Sequence, residues 1–354
     1  MIESKKTAIV LFNLGGPSSL DAVKPFLFNL FNDRAIIDVP QPFRFFLAKI
    51  ISKRREKKAQ KIYSQIGGKS PLLELTNSQA HALEHELSFA GNFKVFVAMR
   101  YWRPFAKETI SQILQYQPDQ IILLPLYPQF SSSTSGSSMQ DFLQRFPDKN
   151  LPIKKVCCYA LEEDFINAHA NLIKKTLTKI NGENFRLLFS AHGLPQKIID
   201  RGDPYVFHVE NSSNAVVARL LEIMNSDEKI DFSICYQSKV GPLQWTSPSL
   251  DFEIRKCALD NKIPVVVPIS FVSDHSETLV ELDIDYKKLA QQLGLKNYLR
   301  VPALNTDGSF IKSLATICQT LAGEDEYEVF CEENPQRICP KKFGLCPNKN
   351  DFPA

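Results

Sequence analysis

The fold of this chain is decided by residues 264–286, PVVVPISFVSDHSETLVELDIDY. The stretch opens with consecutive valines, an apolar β-branched run that is typical of a central parallel strand. It then turns and enters a helix that carries acids at a four-residue spacing, Glu277, Glu281 and Asp285. Side chains at that spacing lie along one helix face. The acids therefore either line a cleft or form an ordinary acidic helix start, which the helix dipole favours.

Strand-like apolar runs alternate with helical segments on the N-terminal side of this stretch. The predicted strands cover residues 7–14, 93–99, 120–130, 186–195 and 231–238. Such alternation predicts parallel sheets with right-handed crossover connections. Because it starts again after about residue 160, we predict an α/β fold of two doubly wound parallel-sheet domains. We expect these domains over residues 1–160 and 161–325, followed by a Cys-containing tail over 326–354.

The overall composition is ordinary for a globular protein. Of 354 residues, 44% are hydrophobic and 23% are charged, which matches average usage. The net charge of +3 is too small to indicate a nucleic-acid partner. No apolar run reaches the roughly 18 residues of a membrane-spanning helix, and the first residues do not form a cleavable signal. We expect a cytoplasmic protein.

Residues 42–58 combine apolar and basic side chains. Phenylalanine and isoleucine dominate residues 42–52, and the basic run KRREKK follows over 53–58. Apolar surface flanked by cations fits a helix on an anionic membrane surface, or a lip over an apolar ligand that carries acidic groups. The alternative is a core helix followed by a solvated basic face. We favour the lip, with peripheral contact at the inner membrane, because phenylalanine is concentrated there.

Residues 131–138, SSSTSGSS, form a predicted Ser/Gly loop that opens onto a helix near Met139. The backbone N–H groups of such a loop could cradle an anion. A plain surface linker has the same composition, so both interpretations stay open.

Chemically active side chains follow several of the predicted strands. Open α/β sheets place their ligands beyond the carboxyl ends of the strands, so these groups are expected to share a cleft. His192 comes directly after a buried strand, which favours a position in that cleft. The groups are Arg100-Tyr101, Ser190–His192, Gln237–Lys239 with Trp245, and Ser273–Glu277.

Six motifs, taken in this order, resemble the ferrochelatase family. They are FNLGGP, YPQFSSSTSGSS, SAHGLP, RGDPY, QSKVGPLQW and FVSDHSETLVELDIDY. The resemblance covers roughly residues 5–320. It implies two Rossmann-like domains around a porphyrin cleft, which agrees with the alternation of strands and helices. It also implies a metal-chelating lyase that inserts Fe²⁺, its substrate, into protoporphyrin IX in the last step of haem synthesis.

The resemblance assigns the chemistry to His192 and Glu277. A neutral imidazole suits both proton acceptance and Fe²⁺ ligation, and the family pairs this histidine with the carboxylate of Glu277. Both residues are therefore expected to take part in catalysis and in metal binding. Glu281 and Asp285 would continue as a relay of carboxylates, on a helix that the family widens locally to a π-helix. His275 takes a supporting role.

The resemblance also implies a porphyrin pocket. Contacts to the flat ring are expected from Leu14, Tyr101, Trp245 and Phe271, together with Arg100 and His275. Cations and hydroxyls for the propionates are expected at Arg55, Lys58, Tyr63 and Ser70. Relatives that act on coproporphyrin often have tyrosine where this chain has Leu14, so the sequence favours protoporphyrin IX.

The cysteines fall into two groups. Cys157, Cys158, Cys235, Cys257 and Cys318 lie in apolar surroundings and are expected to be buried, inert thiols. Cys331, Cys339 and Cys346 could supply thiolates to a [2Fe–2S] cluster, which some ferrochelatases carry. Their spacing lacks a compact CxxC pattern and no fourth ligand is evident, so free thiols in a polar tail are favoured over a cluster.

Three alternatives stay open at this point. The protein could act on coproporphyrin, or insert another metal such as cobalt, because histidine and carboxylates bind several divalent ions. It could also be a non-catalytic carrier of porphyrin or haem. A carrier would need the pocket, but neither Glu277 nor the acids that follow it.

Overall fold

The computed structural model describes residues 5–180, 182–323, 329–331 and 337–348. These residues form two compact units. The first contains the described residues up to 158, those between 314 and 337, and 347–348. The second contains those between 159 and 313, and 338–346.

Six of the described strands follow the predicted apolar runs, whereas those at 153–158, 299–300 and 329–331 were not predicted. In chain order they are β1 (Lys6–Asn13), β2 (Asn92–Met99), β3 (Gln120–Pro125), β4 (Ile153–Cys158), β5 (Phe185–His192), β6 (Phe232–Gln237), β7 (Ile263–Val267), β8 (Leu299–Arg300) and β9 (Val329–Cys331). The helices are α1 (Val23–Phe31), α2 (Phe43–Ser64), α3 (Leu72–Leu87), α4 (Ala106–Tyr116), α5 (Ser137–Arg145), α6 (Glu163–Leu177), α7 (Gln196–Asp200), α8 (Tyr205–Met224), α9 (Leu250–Leu259), α10 (Lys287–Gln292) and α11 (Gly308–Gly323).

Within the described residues, the first unit holds a five-stranded sheet in the order β2-β1-β3-β4-β9, and every pairing is parallel. All of β3 is buried, and so is β1 after its first residue. Continuous apolar strands of this kind belong to sheets that are covered on both faces. Burying each Ile or Leu side chain contributes about 1.5–3 kcal/mol, so these strands anchor the unit.

The second unit holds a four-stranded parallel sheet, β6-β5-β7-β8, within the same described ranges. The two central strands, β5 and β7, pack into a core cluster that includes Leu188, Val266 and Leu282. Both units are thus parallel-sheet α/β domains, and the predicted fold class is confirmed. Among the described residues, no helix combines the length and the apolar character that a membrane crossing needs.

The predicted loop over residues 131–138 is wrong. A π-helical turn covers Ser132–Gly136 and runs directly into α5. Ser131 caps this turn, because its side chain accepts a hydrogen bond from the backbone N–H of Ser133. Serine is a preferred helix cap, so the polar composition that suggested a loop marks a helix start. The preceding strand also ends at Pro125, five residues before the predicted end at 130.

The division of the chain differs from the expected boundaries of 1–160, 161–325 and 326–354. The boundary after residue 313 falls inside α11, and the later half of that helix belongs to the first unit. Strand β9, in the expected tail, pairs with β4 through Val156 and Phe330. Part of the tail therefore completes the first sheet.

Candidate active site

The end of β5 and the start of a π-helix bring the central pair of the site together. His192 is the last residue of β5, and Glu277 is the first residue of the π-helix Glu277–Tyr286. The Nδ1 atom of His192 lies 2.9 Å from Oε2 of Glu277. The carboxylate can only accept, so Nδ1–H donates to it. That leaves the lone pair of Nε2 free to accept a proton or bind a metal.

His275 approaches the same carboxylate from the loop before the π-helix. Its Nε2 atom lies 3.7 Å from Oε2 of Glu277, and its Nδ1 donates to the carbonyl oxygen of Ser273 at 3.1 Å. The ring of Phe271 packs 4.8 Å from the His275 ring. His275 thus lies beside Glu277, and Phe271 packs against His275 in the same unit.

Glu281 is held by the end of the neighbouring strand. Its Oε1 accepts the backbone N–H of Ser238 at 2.9 Å, and its Oε2 accepts the Ser238 hydroxyl and the Gln237 amide at 3.3 Å. Ser238 adopts a left-handed backbone, with φ of 65°, which a non-glycine residue rarely adopts. The Gln237 side chain in turn accepts from the buried Ser190 hydroxyl at 2.8 Å.

The pKa values of His192, Glu277 and Glu281 are shifted in different directions by their surroundings. Burial acts to lower the pKa of His192, but the charge and hydrogen bond of Glu277, with the charge of Glu281, raise it overall. Burial acts to raise the pKa of Glu277, but His192 and His275 hold it well below its usual range. Burial, followed by the charge of Glu277, raises the pKa of Glu281. Separated values of this kind are typical of acid–base sites.

The helix that carries the acids is π-helical over Glu277–Tyr286 and continues directly as α10. The expectation taken from the family resemblance is confirmed. Glu277 and Glu281 are partly buried, whereas Asp285 is exposed. The acids thus run from the His192 pair towards solvent.

A second group of charged and polar side chains lies in the first unit. Oδ2 of Asp33 accepts hydrogen bonds from Arg100 Nη2 (2.7 Å), Tyr101 OH (2.8 Å) and Ser137 Oγ (2.6 Å). Burial acts to raise the pKa of Asp33, but the charge of Arg100 and the hydrogen bonds lower it overall. Burial and then the charge of Asp33 raise the pKa of Tyr101 well above its ordinary value. The phenol therefore stays protonated as a donor.

Tyr101 is buried, at 2% exposure, in a cluster with Tyr63, Val23, Phe26 and Leu27. Leu14 packs against the same cluster while remaining partly exposed. These contacts bring together Leu14, Tyr63 and Tyr101, three of the residues that the sequence assigned to the porphyrin.

The remaining predicted binding residues are found in several settings. The Arg55 guanidinium lies over the Phe31 ring at 5.6 Å, and burial lowers its pKa. Lys58 is exposed, whereas Ser70 is buried and its backbone N–H donates to the Pro17 carbonyl at 2.8 Å. Trp245, in the second unit, is partly buried and its indole N–H has no partner among the described residues.

All the cysteines are buried, including the three expected in a polar tail. The sulfurs of Cys157, Cys158 and Cys331 lie within 4.8 Å of one another, so Cys157 and Cys158 are not isolated thiols. In the second unit, the Cys339 sulfur lies 3.0 Å from Nε2 of His208.

The family model for ferrochelatase matches residues 6–321. The chain belongs to the ferrochelatase family. It is 53% identical to a ferrochelatase of Rickettsia bellii (strain OSU 85-389), covering 99% of this chain and 98% of the relative. It is 46% identical to a ferrochelatase of Pelagibacter ubique, covering 98% of this chain and 99% of the relative. The predicted enzyme class, a metal-chelating lyase of haem synthesis that takes Fe²⁺ and a porphyrin as substrates, is confirmed.

The fold has a solved counterpart outside the family. SirB from Bacillus subtilis, solved with Fe³⁺, superposes with a TM-score of 0.51 at 12% identity, covering 90% of this chain and 96% of that one. At this identity the likeness concerns the fold alone, and it agrees with the chelatase-like architecture expected from the sequence.

Several residues of these sites were missed by sequence reasoning. Asp33 and Ser137 reach Arg100 from positions 67 and 37 residues away in the chain. Ser137 lies within the YPQFSSSTSGSS motif, but no local pattern marks Asp33. Gln237 and Ser238 were among the groups named at the strand ends, but their hydrogen bonds to Glu281 were not predicted.

Proposed function

We propose that this protein inserts Fe²⁺ into protoporphyrin IX to give protohaem, with release of two protons, and that His192 is the base. The observation that carries the proposal is the 2.9 Å hydrogen bond between His192 Nδ1 and Glu277 Oε2. It orients the imidazole and leaves Nε2 as the free acceptor.

The reaction needs a base because two pyrrole N–H protons must leave before the ring nitrogens can bind iron. When Nε2 of His192 accepts a proton, the imidazolium lies directly beside the ionised Glu277. An opposite charge at this distance stabilises the protonated histidine. Nε2 can equally offer its lone pair to the incoming Fe²⁺, with Glu277 supplying an oxygen ligand.

Protons then need a route away from the base. Glu281 has a raised pKa, so it accepts a proton more readily than an ordinary carboxylate does. Asp285 follows on the same helix and is exposed to solvent. We propose that Glu281 and Asp285 carry protons outward, and that the same acids can guide the metal inward.

The porphyrin contacts are proposed residue by residue. Leu14 and Tyr101 share an apolar cluster with Tyr63, which supports a flat apolar wall in the first unit. Trp245 and Phe271 are proposed as ring contacts from the second unit, with Arg100 and His275 nearby in their own units. Arg55, Lys58, Tyr63 and Ser70 are proposed for the propionates.

The test is a metal-insertion assay with Fe²⁺ or Zn²⁺, run on protoporphyrin and on coproporphyrin. His192→Ala should abolish insertion while retaining porphyrin binding, and His81→Ala, which changes an exposed histidine, should keep the wild-type rate. Unimpaired turnover by the His192→Ala variant would refute the assignment of His192 as the base. Faster turnover of coproporphyrin than of protoporphyrin would refute the proposed porphyrin substrate. Faster insertion of Co²⁺ than of Fe²⁺ would refute the proposed metal. Tight porphyrin binding without any turnover would favour a carrier.

We also propose peripheral contact with the inner membrane through helix α2 of a cytoplasmic protein. Phe43, Phe45 and Phe46 are 66%, 41% and 58% exposed, and the basic run of residues 53–58 follows on the same helix. An apolar surface beside cations suits an anionic bilayer.

Sedimentation with anionic vesicles tests this contact. Changing Phe45 and Phe46 to serine should weaken binding, because both apolar contacts are lost. Phe89→Ser is the matched control, since Phe89 is 92% exposed but lies outside α2. Equal binding by all variants would refute the membrane contact.

The [2Fe–2S] cluster expected from Cys331, Cys339 and Cys346 stays a second proposal, with a changed ligand set. Cys331 groups with Cys157 and Cys158, whereas Cys339 lies beside His208. Such a cluster takes four thiolates, and three buried sulfurs lie within 4.8 Å of one another here. Visible absorption and acid-labile sulfide of anaerobically purified protein test the idea. Protein without charge-transfer bands and without sulfide would refute the cluster.

A further inference from the structure

One guanidinium group in the second unit binds two aspartates on either side of the catalytic acids. Arg300 ends the short strand β8 and is 12% exposed. Its Nε and Nη2 donate to both oxygens of Asp283 at 2.8 and 2.7 Å, and its Nη1 donates to Asp274 at 3.0 Å. Paired bonds from a guanidinium to a carboxylate fix orientation as well as distance.

In the sequence, the two aspartates flank the segment that carries the candidate catalytic residues. Asp274 precedes His275, and Asp283 lies on the π-helix two residues after Glu281. The segment between the aspartates therefore carries His275, Glu277 and Glu281.

Asp274 is also tied down on its other sides. It accepts the Thr278 hydroxyl at 2.8 Å and the Asn305 amide at 3.0 Å, while its own backbone N–H donates to Asn305 Oδ1 at 3.1 Å. The entry to the π-helix is therefore fixed by Arg300 and Asn305 from outside the helix and by the Thr278 hydroxyl within it.

A π-helix of this length needs such contacts. The π conformation is rare and occurs mostly as single turns, whereas this one spans Glu277–Tyr286. Relaxation to an α-helix would rotate Glu281 relative to Glu277 and change the distance from Glu277 to His192. Asp283 holds the helix in its middle, and Asp274 holds the loop at its start.

We infer that Arg300 is a positioning residue, which holds the π-helix in register so that Glu277 reaches His192 and Glu281 reaches Ser238. The inference rests on the proposed roles of His192 and Glu277. Arg300 acts through Asp274 and Asp283, which flank His275, Glu277 and Glu281 in the sequence. Its loss should therefore lower kcat and leave the KM for protoporphyrin unchanged.

A matched control lies in the same unit. Arg186, near the start of β5, also joins two aspartates, with Nε 2.8 Å from Asp231 and Nη2 2.9 Å from Asp260. Its side chain is 8% exposed, and it lies six residues before His192 in the strand. Arg186→Ala thus removes a comparable ion-pair network without touching the segment of the acids.

The experiment compares Arg300→Ala with Arg186→Ala in the metal-insertion assay. We expect kcat of the Arg300 variant to fall about 10- to 100-fold, as a small misplacement of catalytic groups does, with the KM for protoporphyrin within about twofold of wild type. Millimolar guanidinium, which is too dilute to unfold the protein, should restore kcat in Arg300→Ala by occupying the vacated space. Arg186→Ala should keep the wild-type kcat.

Wild-type kcat in Arg300→Ala, or a loss that guanidinium does not restore, would overturn the inference. If the alanine variant does not fold, Arg300→Lys decides, since one amine cannot bind both aspartates as the fork does; a wild-type kcat there would overturn the inference too. An inactive His192→Ala beside a fully active Arg300→Ala would overturn this inference alone. An active His192→Ala would overturn the proposed base whatever Arg300 does.

Discussion

Replacing Glu277 by glutamine removes one negative charge while nearly preserving the shape of the side chain. In the wild-type protein the carboxylate supports the protonated form of His192, whose pKa is raised. The base must be neutral to accept a pyrrole proton, so activity rises as the pH passes above that pKa. With glutamine in place, the imidazolium loses its partner and the pKa of His192 falls. The acid limb of kcat/KM should therefore move to lower pH.

The size of this shift follows from the contact. The two atoms are 2.9 Å apart, and a hydrogen bond to a charged group contributes about 1.5–3 kcal/mol. The His192 side chain is 37% exposed, so solvent screening brings the value nearer to about 1–1.5 kcal/mol. Since 1.36 kcal/mol corresponds to about one pKa unit, the limb should move down by about one pH unit.

The assay follows insertion of Zn²⁺ into protoporphyrin at low porphyrin concentration across a range of pH. On the plateau above the limb we also expect a loss of about 100-fold in the Glu277→Gln variant, because the imidazolium formed on proton transfer lacks the negative charge that stabilises it. An acid limb that stays where it is in wild type, or moves upward, would refute the pairing of His192 with Glu277 as the titrating unit.

Three further predictions concern other parts of the molecule. Asp33→Ala leaves the partly buried Arg100 guanidinium with only the more distant Asp141, at 3.7 Å, and should lower the free energy of unfolding by about 3 kcal/mol, measured by urea titration. Wild-type stability in Asp33→Asn, which removes the charge but keeps the shape, would contradict the role of the charge. Leu14→Tyr should raise the ratio of coproporphyrin to protoporphyrin turnover, and an unchanged ratio would show that this position does not select the substrate. Cys331→Ser should abolish any iron–sulfide absorption, whereas Cys318→Ser, at another buried thiol, should not; bands that survive in the Cys331 variant would exclude it as a ligand.

Strand positions were predictable because buried parallel strands are continuous apolar runs. β7 follows a run of valines, and β1 is apolar from Ala8 to Phe12. His192 and the acids of the π-helix could be placed from such runs, since residues just beyond parallel strands share one edge of a sheet. Local sequence thus indicated that His192 and Glu277 follow buried strands, whereas their catalytic roles came from the family resemblance and stay predictions.

Backbone conformation beyond the common states was harder to predict. The serine and glycine residues between 131 and 138 led to the prediction of a loop, because composition does not distinguish a capped π-helical turn from a linker. The π-helix after Ser276 was expected only through the family resemblance, since the four-residue spacing of its acids fits an α-helix equally well.

Pairs that are distant in sequence could not be predicted. Asp33 meets Arg100 across 67 residues, and Arg300 meets Asp274 across 26. Cys331 meets the neighbouring thiols Cys157 and Cys158 only because β9 pairs with β4. Each contact depends on the order of the strands in a sheet. A single sequence does not specify that order, because these sites have no local periodicity.

The return of the chain to its first sheet has a consequence for synthesis on the ribosome. Strand β4 leaves the ribosome long before β9, because residues 159–313 of the second unit are made in between. At ordinary translation speeds that interval lasts roughly 8–30 s. During it the outer edge of β4 is uncovered, and the buried Lys154 ammonium lacks the Leu321 carbonyl that it later binds at 2.6 Å. An unpaired edge invites association between nascent chains, so chains stalled or truncated before residue 314 should be the species that chaperones bind.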